Sequence, residues 1–327
     1  MKQSRRVPNF KRIRMGGGKM AKPASGAARK VLRLSPGRRK DWMLAALLLL
    51  PTVYILARTF VYPIFQSLVW SFYKYNLMDG SVVAFIGLRN YAGIFRLPDF
   101  WAAMGSTAYF TVFTVGAELS LGFFSALLLN QAFRGQLLFR GMIIIPWAML
   151  TLVNGLMWNW IYQPGYGALT ILLHQLGLLG ADSNPVWLTS PFRIVTFAAI
   201  ADIWKMTPYM TLLLLAGLQS ISSSLYEASV IDGAGFWQKI RHITIPQLMP
   251  AILVAVVLRI LGAFRVYDIL TVFTNNPTSS VSFLTYNYAF RYFYLGRASA
   301  MAWISTLFIL ALIVMYFRLL KKNAEQV

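Results

Sequence analysis

Long apolar runs alternate with short polar intervals along this chain. The runs fall at about 43–62, 105–130, 141–161, 193–217, 248–273 and 298–318. Each approaches the roughly 20 residues that a helix needs to cross hydrocarbon. Helices are the economical solution there, because they satisfy their own backbone N–H and C=O groups where water cannot. The segment Leu169 to Leu179 is apolar but too short to span, and predicts an interfacial helix. Turn chemistry separates the runs at Asp79-Gly80, Leu97-Pro98-Asp99, Gln163-Pro164-Gly165 and Asn275-Asn276-Pro277. The pattern predicts an all-α membrane protein of six transmembrane helices, with a polar island, Glu227 to Pro250, between the fourth and fifth.

Composition agrees. Of 327 residues, 57% are hydrophobic and 13% charged, about half the charged share of a typical soluble domain. Cysteine is absent and the two histidines, His174 and His242, stand far apart, so neither a thiolate site nor a metal site is expected. The net charge of +21 concentrates at the front, where every charged residue before Asp41 is Lys or Arg. Residues 1–41 read as a basic, disordered cytoplasmic tail beside anionic lipid, and residues 42–327 as the transmembrane domain. No aromatic platform accompanies the basic run, so nucleic acid is not the expected partner. Gly16-Gly17-Gly18-Lys19 is followed by Met20 and lacks the spacing of a phosphate loop. Basic residues after the second and sixth runs (Arg134, Arg140, Arg318, Lys321, Lys322) place both termini in the cytoplasm, and by parity the island too.

Ionisable groups inside hydrocarbon are costly and face a cavity or a partner. Glu118, Asp202, Lys205, Arg259, Arg265 and Asp268 all lie within the runs. Thr111, Thr114, Glu118 and Ser125 share one helical face, as do Thr151, Asn154 and Trp158, then Asp202, Lys205 and Tyr209; Arg265 and Asp268 are one turn apart. Two readings stand. The groups act as interhelical glue, with Asp202–Lys205 and Arg265–Asp268 neutralising one another. Or Glu118, Asn154, Trp158, Asp202, Lys205, Tyr209, Arg265 and Asp268 line a polar path, whose mix of groups suits a polyhydroxylated solute. Pro51, Pro146, Pro208, Gly155 and Gly262 mark bends of the sort that line cavities.

The island contains a glutamate-led short helix, turn chemistry at Asp232-Gly233-Ala234-Gly235, and a second helix with apolar 236, 237, 240 and 243. Pro246 and Pro250 mark the way into the fifth run. It holds no nucleophile–base pair and no metal cluster, so it reads as a knob for another protein to grip. Glu227-Ala228-Ser229-x-x-Asp232-Gly233-Ala234, followed by Ile240, Ile243 and Pro246, resembles the EAA loop of binding-protein-dependent ABC importer permeases. Ser229 replaces the family's second alanine and Ile245 its leucine before the proline. Phe85-Ile86-Gly87-Leu88-Arg89-Asn90-Tyr91 is similar to the carbohydrate branch, maltose-type permeases. Ile203 to Met210 and Phe264 to Asp268 resemble its trehalose-type members. Thr274-Asn275-Asn276-Pro277 departs from the glycine-rich loop many sugar permeases carry there.

The resemblance implies a type I ABC importer permease-like fold and a subunit without catalytic activity or a cofactor of its own. It implies a coupling loop over 219–247, with Glu227, Ala228, Ser229, Asp232, Gly233 and Ala234 seated in an ATPase subunit that uses ATP and Mg. It further implies a second, different permease chain, two ATPase subunits, an extracytoplasmic solute-binding protein, and residence in a bacterial inner membrane. A trehalose- or maltose-like disaccharide, or another glycoside, is the expected cargo. A proton-coupled secondary sugar transporter is the competing expectation, but the island would then have no role.

Overall fold

The computed structural model of the protein describes residues 36–78, 84–180 and 182–324, with side chains from 41 to 318. Residues 1–35 of the expected tail, and the Asp79-Gly80 turn, lie outside these. From Pro36 the chain is helical, so the end of the basic run lies on the same helix as the first apolar run. Proline suits a first helical position, where its missing N–H would have had no intrahelical partner. By its contacts the chain divides into two units, Met1–Thr59 and Phe60–Val327.

In the first unit, α1 (Pro36–Leu56) leaves Leu47, Leu48 and Tyr54 exposed, an apolar surface suited to lipid. A π turn at Ala57–Val61 follows, and α2 (Tyr62–Ser71) already belongs to the second unit. The first apolar run therefore does not end near 62. Its helix persists through Pro63, because the wider preceding turn relieves the clash between the proline ring and the carbonyl four residues back.

In the second unit, β1 (Tyr73–Lys74) and β2 (Ala84–Phe85) form a short antiparallel pair, with Tyr73 opposite Phe85. Gly87, at φ +59°, turns the chain into α3 (Arg89–Phe95). Buried Asn90 donates its amide to the carbonyls of Ser71 and Tyr73, both at 2.9 Å, and so ties the hairpin to the end of α2. There follow α4 (Pro98–Asn130), α5 (Gln136–Ala148), α6 (Thr151–Ile161), α7 (Ala168–Gln175), α8 (Pro191–Gln219) and α9 (Ser223–Ile231). Next, α10 (Phe236–Lys239) runs through a π turn, Ile240–Thr244, into α11 (Ile245–Phe264). The chain closes with α12 (Asp268–Phe273), α13 (Val281–Phe290) and α14 (Leu295–Ala324).

Among the described residues four helices are long and apolar enough to cross a membrane: Asp41–Ser71, Pro98–Asn130, Phe236–Phe264 and Leu295–Arg318. A fifth is added if α5 and α6, which meet at 91°, count as one broken span. That break falls just after Pro146, at Met149 and Leu150. The run expected at 193–217 is the 29-residue α8, whose Asp202 and Lys205 make it too polar to count by composition. It is instead a sheltered helix, with Ala198, Ala199, Ala201, Met210 and Leu214 fully enclosed by neighbours. A helix surrounded by protein can carry charge that a lipid-facing one cannot. Pro246 and Pro250 do not interrupt the fifth run's approach, because the π turn accommodates Pro246 as the earlier one does Pro63.

Close crossings hold α8 in place. A Cβ on Gly217 would stand 2.5 Å from that of Ala251 in α11, and one on Gly122 of α4 would stand 2.7 Å from Met210 Cγ. Small residues let helices approach where no hydrophobic drive separates lipid from side chain. Gly217→Ala is expected to destabilise the fold by about 1–3 kcal/mol through overpacking; thermal melting in detergent reads this directly.

Candidate functional site

The fifth run breaks where its charge is densest. Helix α11 stops at Phe264, Tyr267 takes φ −144° and ψ −62°, and α12 restarts at Asp268. Ser280 donates to the Val266 carbonyl at 2.8 Å, satisfying backbone freed by the break. The expectation that Arg265 and Asp268 stand one helical turn apart within the fifth span is thus corrected: they flank a break in the helix. Beside it lies a cavity of about 220 Å³, walled by Asp202, Lys205, Met206, Arg259, Arg265 and Asp268, among others. Helices α8, α11 and α12 all contribute, which brings together Asp202, Lys205, Arg265 and Asp268 from the sequence-derived set.

Behind the cavity sits an ion triad. Arg259 reaches the Glu118 carboxylate with both Nε and Nη2, the Nη2 contact to Oε1 being 2.7 Å, and Nη2 also donates to Asp202 Oδ2 at 2.8 Å. Glu118 is completely buried and Arg259 nearly so, while the Asp202 side chain keeps 13% exposure toward the cavity. Forked charge-assisted bonds of this kind fix geometry as well as charge. The expected Asp202–Lys205 and Arg265–Asp268 pairings are replaced: among the described residues neither pair forms an ion bridge. Among the described residues Lys205, 8% exposed, finds only Met206 Sδ at 3.9 Å. Arg259 is the residue that spacing rules left out of the site. Its partners lie on two other helices, so no periodicity within a run connects them.

The remaining candidates lie elsewhere. Asn154 donates to the Ala201 carbonyl at 3.3 Å, and Trp158 packs edge-on to Trp204, both in the contact of α6 with α8. Among the described residues Asn154 Oδ1 and Trp158 Nε1 are buried without a hydrogen-bond partner. Tyr209 stacks on Trp147 of α5. These three face helix contacts, not the charged cavity.

At the island, α9 ends in a Schellman turn: Ala234 N–H bonds the Ser229 carbonyl at 2.9 Å and Gly233 N–H that of Val230 at 3.1 Å. Gly233 sits at φ +74°, which glycine adopts without penalty. Gln238 reaches back to accept from Gly235 N–H at 2.7 Å and opens α10. Glu227, Ala228 and Asp232 are exposed, Ser229 is buried and Ala234 half-buried. Apolar Val230, Ile231, Phe236 and Trp237 project from the tip, so the greasy face expected at 236, 237, 240 and 243 divides between surface and interior. A 3.1 Å bond between the Tyr226 and Thr244 hydroxyls ties α9 to the π turn below α11.

Long apolar helices around a charged cavity at a helix break, with an exposed capped knob leading into that same helix, describe a membrane protein, and its relatives give its class. Residues 118–324 match the family model of binding-protein-dependent transport system inner membrane components. The trehalose/maltose transport system permease MalF of Thermococcus litoralis is 38% identical over 239 residues, covering 72% of this chain and 79% of the relative. The sulfoquinovosyl glycerol permease SmoG of Agrobacterium fabrum is 33% identical over 285 residues, covering 86% and 91%. A crystal structure of a bacterial alginate ABC transporter, in complex with alginate pentasaccharide-bound periplasmic protein, shares the fold. Its TM-score is 0.70 at 21% identity, over 88% of this chain and 96% of that one. The chain belongs to the binding-protein-dependent inner-membrane permeases of ABC importers, in their carbohydrate branch. It is a multi-pass inner-membrane transport component.

Proposed function

We propose that this chain is one of two permease subunits, different in sequence, of an ATP-driven importer for a disaccharide or other glycoside. Trehalose and maltose are the first choices, because the MalF relative's name gives them. The observation that carries the reading is the cavity at the Arg265–Tyr267 break, where Asp202 supplies an acceptor and Lys205 and Arg265 supply donors that have no acid partner among the described residues. Donors and acceptors alternating around a small space suit hydroxyl-rich ligands. The four apolar helices, the bent α5–α6 pair and sheltered α8 make six spans, with both termini in the cytoplasm by the positive-inside rule. The knob of 219–247 then faces the cytoplasm. There Glu227, Ala228, Ser229, Asp232, Gly233 and Ala234 meet an ATPase subunit, one of two, that uses ATP and Mg. A solute-binding protein delivers the sugar from outside, and this chain itself carries no cofactor and no catalysis.

Reconstitution tests this. Uptake of trehalose or maltose by the complete importer should need both ATP and binding protein. Uptake driven by a proton gradient alone would sink the reading in favour of a secondary transporter. Lys205→Met should raise KM for the sugar roughly 10-fold, the loss of one charge-assisted bond, with uptake at saturation little changed.

A further inference from the structure

Arg265 has two faces. One looks into the cavity described above; the other borders a second cavity, of about 240 Å³, between the end of α11, α13 and α14. Its wall carries four hydroxyls: Ser282 and Thr285 on α13, Ser305 and Thr306 on α14. Among the described residues, neither the Ser282 nor the Thr285 hydroxyl has a hydrogen-bond partner. Ser305 and Thr306 donate to the Met301 and Ala302 carbonyls, both at 2.8 Å, and so keep their oxygen lone pairs for an incoming donor. Arg265 is exposed, with no ion pair or side-chain hydrogen bond among the described residues. An unpaired guanidinium beside free hydroxyls is costly against lipid; such groups face a cavity or a partner, and here they line a cavity.

We infer that this hydroxyl-lined cavity is a second sugar subsite, which takes the second ring of a glycoside while the first lies against Asp202 and Lys205, with Arg265 bonding both. The proposal rests on the sugar-importer reading. Size supports it: each cavity falls below the roughly 300–1,000 Å³ of a pocket for a drug-sized ligand, so a disaccharide needs both. Chemistry supports it too. Arg259 is held by its carboxylates, whereas Arg265 has all five N–H donors to spend.

The chain has no cysteine of its own, so single-cysteine labelling is clean. Thr285→Cys and Ser305→Cys should each react with a membrane-impermeant methanethiosulfonate in vesicles carrying the full importer. Modification of this chain is read by mass spectrometry. Saturating trehalose or maltose should slow it at least several-fold, and glucose should not. A cysteine at exposed, apolar Leu310 should stay unreactive. Failure of both engineered thiols to react, equal rates with and without disaccharide, or equal protection by glucose would each overturn the subsite. Sugar uptake by the same vesicles is scored separately. Uptake without protection removes only the subsite, whereas no uptake of any sugar by the unmodified importer overturns the importer reading and the subsite with it.

Discussion

Arg259→Leu is expected to cost about 3–5 kcal/mol of stability, because it leaves the Glu118 carboxylate, fully enclosed, without a counter-charge. Asp202 loses its anchor too, but water from the cavity reaches that side chain, so most of the penalty comes from Glu118. The double variant Glu118→Leu/Arg259→Leu removes the buried pair and should recover most of the loss, since apolar packing replaces a buried ion pair at little cost. Thermal melting of the detergent-purified importer measures both. A single variant as stable as the parent would mean that Glu118 is not ionised there, and the triad would lose its place as the brace of the site.

Gly233→Pro and Glu227→Lys are expected to reduce uptake to the background of empty vesicles while the chain still inserts in normal amount. Proline fixes φ near −65°, and Gly233 stands at +74°, so the Schellman turn cannot close and α10 loses its direction from α9. Glu227 makes no bond within the described chain and is exposed on α9, so reversing its charge disturbs an outside partner rather than the fold. The decisive comparison is uptake against ATP hydrolysis in the assembled importer. Normal uptake by both variants would remove the island from the coupling role.

Much of this frame is legible in the residues, and the limits of that legibility have physical causes. The apolar runs locate the long helices, because a lipid-facing helix must be apolar along its whole length. The Asp232-Gly233-Ala234-Gly235 turn is legible for a local reason, glycine's access to positive φ. The first run's apparent end near 62 misleads, because a π turn absorbs Pro63 and the helix continues, as another does at Pro246. The Arg265–Tyr267 break itself carries no proline or glycine; Gly262, in the turn before it, is the one local hint, and the break is held by Ser280, far along the chain. The triad has no local signal at all. Helical spacing reports neighbours on one helix, and Glu118, Asp202 and Arg259 belong to three.

The unbroken helical path from Phe236 to Phe264 gives the fold a lever. At about 1.5 Å per residue, a displacement of the knob reaches the far end as a rigid movement, since a helix neither stretches nor folds along its length. The first break in that helix lies at Arg265 to Tyr267, in the cavity wall. Under the proposed ATPase contact, a push at Trp237 arrives at the wall of the Asp202–Arg265 cavity, at the joint where the lever ends.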